Sequence, residues 1–238
     1  MRLDKFFSET GTLSRRECAA FAKRGQVTVN GVAVRDVSRH IDPDSDEIAL
    51  GGTVIRWKKF SYIMLNKPSG YVSSTEDRGR TVMELLPEKY LKMGFFPAGR
   101  LDIDTTGLLL ITNDGETAHR LLSPKYHVKK TYYFECSEAV TEEMRRRLED
   151  GVDLGTWVTA PAEVILRDGT SGTVAITEGK FHQIKIMFHT VGSDITSLKR
   201  ISFGPLELDT TLGVGEWREL DRAEEAALLK AAGRDNIG

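Results

Sequence analysis

Residues Ala98-Gly-Arg-Leu-Asp-Ile-Asp-Thr-Thr-Gly-Leu-Leu-Leu-Ile-Thr-Asn-Asp-Gly115 set charged groups, a glycine and a wholly apolar run side by side. An extended backbone sends successive side chains to opposite faces. This reading places Arg100, Asp102 and Asp104 on one side and Leu101 and Ile103 on the other. Thr105-Thr106-Gly107 reads as a bend. Leu108 to Ile111 reads as a buried strand, a short apolar run closed by the turn signal Asn113-Asp114-Gly115. Two carboxylates and a guanidinium at the tip of a buried strand mark a candidate site. The same set would also serve as a structural ion pair, and spacing alone does not separate the two. A calcium loop fits less well. Asp102, Asp104 and Gly107 take suitable positions, but Thr106 stands where such a loop has Asp or Asn, Asn113 where it has a bidentate glutamate, and an apolar strand follows where the loop should continue.

The chain has 238 residues, 40% of them hydrophobic, enough for two domains with their own cores. Its net charge of −2 suggests no nucleic-acid partner by itself, so a basic footprint must be local. Residues 1–60 carry 11 Lys/Arg against 8 Asp/Glu, leaving 22 against 27 for the remainder. The basic surplus therefore sits in the N-terminal part. Cys18 and Cys136 lie far apart and outside any metal or redox spacing, which fits buried thiols in a reducing compartment. The start of the chain lacks the apolar core of a signal peptide, and no run approaches the roughly 18 apolar residues of a membrane span. The expectation is a cytoplasmic protein with no membrane partner.

In chain order, residues 2–9 suit a short helix. Ser14 opens a second, with Glu17 in capping-box position and Gly25 at its end. Cys18, Phe21 and Ala22 form its apolar stripe and leave Arg15, Arg16, Lys23 and Arg24 for solvent. Gln26 to Val34 alternates around Asn30-Gly31, a hairpin signal. Asp42 to Glu47 is an acidic turn, and Gly51-Gly52 with Arg56-Trp-Lys-Lys59 reads as the connector. Beyond it, Tyr62–Leu65, Tyr71–Ser74, Tyr132–Glu135, Val164–Leu166, Val174–Thr177 and Phe203–Leu208 read as strands. Val82–Leu86, Ala118–Leu122, Thr141–Glu149 and Ile184–Val191 read as helices. Asn66-Lys-Pro-Ser-Gly70 is turn chemistry. His182 and His189, seven apart, are placed on one helix face, without a third ligand that would make a metal site.

Three motifs in order carry a family resemblance: Gly99-Arg-Leu-Asp102 with Asp104-Thr-Thr-Gly-Leu-Leu-Leu110, Lys130-Thr-Tyr132, and Glu178-Gly-Lys-Phe-His-Gln-Ile-Lys185. They resemble the pseudouridine synthases of the RsuA/RluA superfamily, whose catalytic domain also begins with an Asn-Lys-Pro element. Arg2-Leu-Asp-Lys-Phe6, Ser14-Arg-Arg-Glu17 and Gly25-Gln-Val-Thr-Val-Asn-Gly31 resemble the small RNA-binding domain named after ribosomal protein S-four. The implied fold is α+β: an S-four-like RNA-binding domain over 1–58, then a catalytic domain over 59–238 with a largely antiparallel mixed β-sheet flanked by helices.

The resemblance implies isomerisation of uridine to pseudouridine with Asp102 as nucleophile, after the base has been flipped out of its stack. Tyr132 would supply the face against which the base rests, Lys185 would pair with Asp102, and Arg100 would touch RNA near the flipped nucleotide. Arg15, Arg16, Lys23 and Arg24 would contact phosphates. The reaction is redox-neutral, so no cofactor and no metal are expected. The nearest subgroup modifies 16S ribosomal RNA, with Ser123-Pro-Lys125 and Lys130-Thr-Tyr-Tyr133 as the suggestive residues. The expected partner is that RNA, free or in a partly assembled small subunit, and the protein is expected to act as a monomer. A sister group acting on 23S RNA shares fold and chemistry, and a non-catalytic ribosome-assembly protein is the rival from another class. Ile186-Met187 departs from the Arg-Met that often follows the last motif in ribosomal relatives, which removes one expected RNA contact.

Overall fold

A computed structural model describes residues 1–234. Contacts divide it into two compact units, Met1–Ser61 with Pro87–Phe95, and Tyr62–Leu86 with the chain from Phe96 on. The first unit holds helices α1 (Leu3–Glu9) and α2 (Arg15–Lys23) and the strands β1 (Val27–Val29), β2 (Val32–Ala33), β3 (Ile48–Leu50) and β4 (Thr53–Val54). Helix α3 (Glu88–Lys92) packs with this unit although it lies within the second part of the sequence.

The capping box forms as the spacing predicts: Ser14 Oγ accepts from Glu17 N, and Glu17 returns a bond to Ser14 N. Cys18 and Ala22 are fully buried with Leu3, Phe6 and Phe7 in a core that Val27 and Ile48 complete. Asn30 and Gly31 both take positive φ, as a two-residue hairpin between β1 and β2 requires. The four strands run in the order β2-β1-β3-β4. Gly51-Gly52 is therefore the turn of a second hairpin, β3 to β4, and not a connector.

The second unit is built on β5 (Tyr62–Lys67), β6 (Phe96–Pro97), β7 (Thr106–Thr112), β8 (Lys130–Cys136), β9 (Glu163–Leu166), β10 (Ser171–Ile176), β11 (Ile195–Phe203), β12 (Leu206–Glu207) and β13 (Trp217–Glu219). The sheet runs β13-β5-β7-β11-β8-β10-β9, with β6 added to β7 and β12 to β11. Between the strands of this sheet, as described, only β7 and β11 pair in parallel. Helices α4 (Gly115–Leu122), α5 (Glu142–Asp150), α6 (Gln183–Val191) and α7 (Arg222–Ala231) accompany it. The apolar run at Leu108 is completely buried, as a central strand needs. Asp114 caps α4 by accepting from Thr117 N, and Tyr62 donates to the same carboxylate at 2.7 Å.

Two expectations fail here, and one strand has no counterpart in the sequence reading. Tyr71–Ser74 is no strand; it makes one isolated bridge, Val72 to Thr81, and Ser73 Oγ bonds both backbone groups of Leu101. Phe203–Leu208 is broken at Gly204, whose φ is +56°, and at Pro205, which lacks a ladder N–H. The longest strand, β11, was not foreseen, since Lys199 and Arg200 interrupt its apolar pattern.

Gly107 opens β7 with φ +94° and faces Arg200 in the register, where an added Cβ would be driven into the Arg200 carbonyl oxygen. Gly107→Ala should destabilise the protein by about 2–3 kcal/mol, from a left-handed backbone and an overpacked strand pair. Urea unfolding checks this, and an unchanged midpoint would refute it.

Candidate active site

The segment between β6 and β7 is not extended. It bends at Ile103 and Asp104, so the strict alternation expected there fails: Leu101 is buried but Ile103 is 55% exposed. The bend comes before Thr105-Thr106-Gly107, and Thr106 and Gly107 already belong to β7. Its shape is imposed from beneath by Lys67, the last residue of β5, which is completely buried. Lys67 Nζ donates to the carbonyls of Pro68 at 3.1 Å, Asp102 at 3.1 Å, Ile103 at 3.2 Å and Thr105 at 2.9 Å. Burial pushes its ammonium down to about 8, although the charges of Asp104 and Asp102 oppose the fall. In the sequence Asn66-Lys-Pro reads as turn chemistry and as a family element, without a role for Lys67. The available signal was a lysine ending an otherwise apolar buried strand, a place where a charge persists only with several acceptors.

The bend separates the two carboxylates. The Asp102 side chain is 23% exposed, with Lys185 Nζ at 3.1 Å and His182 Nε2 at 3.4 Å. Asp104 is 63% exposed and takes Lys185 at 2.6 Å. That hydrogen bond holds the Asp104 carboxyl below its usual range. Burial would lower the Lys185 ammonium, but its bonds and charges with Asp104 and Asp102 more than offset this and raise it.

Lys185 projects from α6, and the loop before that helix is clamped at both ends. Glu178 Oε1 accepts from Gln183 Nε2 at 2.6 Å, and Gln183 Oε1 accepts from Lys180 N at 3.0 Å. His182 is thereby held at φ +50°, a backbone state uncommon for a non-glycine residue and one that recurs at functional sites. It precedes α6 and turns to Asp102, whereas His189 lies within the helix beside Asp194 at 2.8 Å. The expected shared helix face of the two histidines does not exist. Phe181 stacks on the His182 ring at 3.7 Å and is 80% exposed.

Asp102, Phe181 and His182 line a cleft of about 600 Å³, within the range of roughly 300–1,000 Å³ that small-molecule sites occupy. Asp102 and the exposed Arg100 stand at its wall, and Tyr132 of β8 is buried in it. The fold thus brings Arg100, Asp102, Tyr132 and Lys185 into one region and adds Lys67 and His182. Lys130 and Arg200, both nearly fully buried, also line the cleft. In the other unit Arg15, Arg16, Lys23 and Arg24 are all exposed on or just after α2. Among the described residues no group of three or more His, Cys, Asp or Glu side chains is arranged to hold a metal ion, and no helix is long and apolar enough to cross a membrane.

Residues 61–190 match the family described as RNA pseudouridylate synthase, and residues 1–48 match the S4 domain. The chain belongs to the RNA pseudouridylate synthase family. An uncharacterized RNA pseudouridine synthase of Bacillus subtilis, YtzG, is 45% identical to this synthase over 230 residues, covering 94% of the chain and 96% of the relative. The ribosomal small subunit pseudouridine synthase A of Escherichia coli is 36% identical over 231 residues, covering 96% and 100%. A solved pseudouridylate synthase superposes with a TM-score of 0.68 at 36% identity, over 96% of this chain and 99% of that one. The synthase is accordingly an isomerase: the base is detached from ribose, turned and rejoined through carbon. An N-terminal S4 domain preceding a mixed α/β synthase domain agrees with the fold class read from the sequence.

Proposed function

We propose that this synthase isomerises a uridine of 16S ribosomal RNA, with Asp102 as its nucleophile. The observation that carries the reading is the placement of Asp102 in the cleft that also holds Tyr132, its carboxylate steadied by Lys185. A positioned carboxylate divides glycosidic cleavage and rejoining into two easier steps through a covalent intermediate. A base reaches it only after leaving its stack, and the Tyr132 ring provides the surface for the flipped uracil. Arg100, exposed at the wall, contacts the RNA beside that nucleotide. The 16S assignment draws on the Escherichia coli relative named for the small subunit. Chemical mapping of pseudouridine in ribosomal RNA from cells lacking this protein is the test. A site missing from 23S and not 16S would overturn the substrate, and no missing site would overturn the reading.

Arg15, Arg16, Lys23 and Arg24 contribute affinity through phosphates in this scheme. Each phosphate contact adds about 0.7 to the slope of log affinity against log salt for single-stranded RNA. Replacing all four by Gln in the full chain should weaken binding at low salt and flatten that slope by up to about 3. An unchanged slope in filter-binding titrations would remove them from the interface.

A further inference from the structure

Beneath the cleft lies a feature to which the proposed chemistry gives no part. Lys130 and Tyr132 are two apart on β8 and share a face, and Arg200 of β11 is the register partner of Tyr132. Lys130 is 5% exposed and Arg200 2%. Lys130 Nζ donates to its neighbour's carbonyl, Val128 O, at 2.9 Å. Arg200 Nε donates to Leu108 O at 2.7 Å, while its buried Nη2 has no hydrogen-bond partner. Both cations lie near the Phe203 ring, at 5.6 and 5.0 Å from its centroid. Among the described residues no carboxylate pairs with either one. Burial and the Arg200 charge together push Lys130 down to about 8. Two unneutralised cations side by side in a buried floor are costly for folding, and such groups are retained where they meet a ligand.

We propose that Lys130 and Arg200 form a cationic floor that receives the ring oxygens of the flipped uracil and neutralises the charge developing on them. This rests on the functional reading above and deepens it. As Asp102 bonds to ribose C1′ the C1′–N1 bond breaks, and its electron pair stays with the ring and spreads onto the two carbonyl oxygens. When the turned ring attacks C1′ through C5, that pair forms the new bond, the Asp102–C1′ bond breaks with its pair returning to the carboxylate, and the C5 proton is replaced by one taken up at N1, so that the product is an isomer of the substrate. A fixed cation at those oxygens is stronger for the detached ring than for neutral uridine, which is the condition for accelerating the step. A backbone phosphate has the same anionic chemistry, so the test must tell the two apart.

The full-length enzyme is assayed on unmodified transcripts of small- and large-subunit ribosomal RNA. Lys130→Met keeps the volume and removes the charge. It should slow single-turnover pseudouridine formation at saturating RNA roughly 10²–10³-fold, the range for loss of one charge-stabilising donor. RNA affinity and its salt slope should stay as in wild type, and the thermal midpoint should hold or rise, since an uncompensated buried cation has gone. Lys130→Arg should restore most of the rate. Arg200→Lys, which keeps a charge but loses the unpartnered Nη2, should slow the same step about tenfold and serves if Lys130→Met does not fold. A Lys130→Met enzyme with wild-type rate overturns the proposal, as does a slope lowered by about 0.7, which would put a phosphate on the floor. A wild type that makes no pseudouridine on either transcript overturns the functional reading and this inference with it.

Discussion

Asp102→Asn should lose on the order of 10⁴-fold or more in turnover while still binding RNA, by analogy with other enzymes whose nucleophile is removed. The change preserves shape and replaces an anion with a neutral amide, so neither a covalent ester nor stabilisation of a cleaved sugar survives. Binding persists because an anion repels phosphate and its loss removes no attraction. Asp104→Asn should behave differently. Its carboxylate stands at the rim, 63% exposed, and its main contact is Lys185 at 2.6 Å. Loss of that contact frees Lys185 for Asp102, at a cost of about 1 kcal/mol in the transition state. Single-turnover assays on a ribosomal RNA fragment, with binding measured in parallel, decide between the two. Ready pseudouridine formation by folded Asp102→Asn enzyme would sink the mechanism.

Lys67→Met should have the second-largest effect, and on folding as well as rate. The ammonium ties three carbonyls of the loop that carries Asp102 to that of Pro68, the residue after Lys67. Two of them keep another donor when it goes: Thr105 N reaches Asp102 O at 3.1 Å, and Gly70 N reaches Ile103 O at 2.8 Å. The loss therefore falls mainly on the carbonyls of Pro68 and Thr105. A destabilisation of about 2–4 kcal/mol is expected, because two buried neutral carbonyls lose their donor at about 1–3 kcal/mol each while relief of the buried ammonium offsets part of the loss. Lys130 differs: four acceptors repay the burial of Lys67, whereas one carbonyl does not repay that of Lys130. Thermal and urea unfolding of both Met variants should therefore move in opposite directions.

Lys67 also fixes the sign of a pH dependence. Its folded pKa, about 8, lies below the ordinary 10.5, so between these values the unfolded chain holds more protons and this group's contribution to stability rises with pH. Activity should do the reverse and fall above about pH 8, as the deprotonated amine loses a donor and its charge. Lys130, at about 8, titrates over the same interval and adds to the fall. A rate that stays flat from pH 7 to 10 would show that neither charge matters to turnover.

Residue pattern alone determined a good deal of this protein. The Ser14 and Glu17 capping box, the Asn30-Gly31 hairpin and the buried run Leu108–Ile111 were legible because each depends on neighbours within a few residues: a cap, a turn requiring positive φ, a strand with no exposed face. Motif order likewise pointed to the synthase family and to the S4 domain. The tertiary structure decided what depends on distant partners. Asp102 and Asp104 are equivalent by spacing; a bend held by Lys67, 35 residues before Asp102, directs one into the cleft and leaves the other at its rim. His182 and His189 look paired along a helix, yet the Glu178–Gln183 clamp puts His182 outside the helix and against Asp102. Lys130 belongs to a family motif and Arg200 to no motif, and only the pairing of β8 with β11 buries them together under the cleft. Local rules fix which segments form helices and turns. The protonation, exposure and neighbours of a charged group follow from strands brought together across the sheet, and periodicity along one segment carries no record of them.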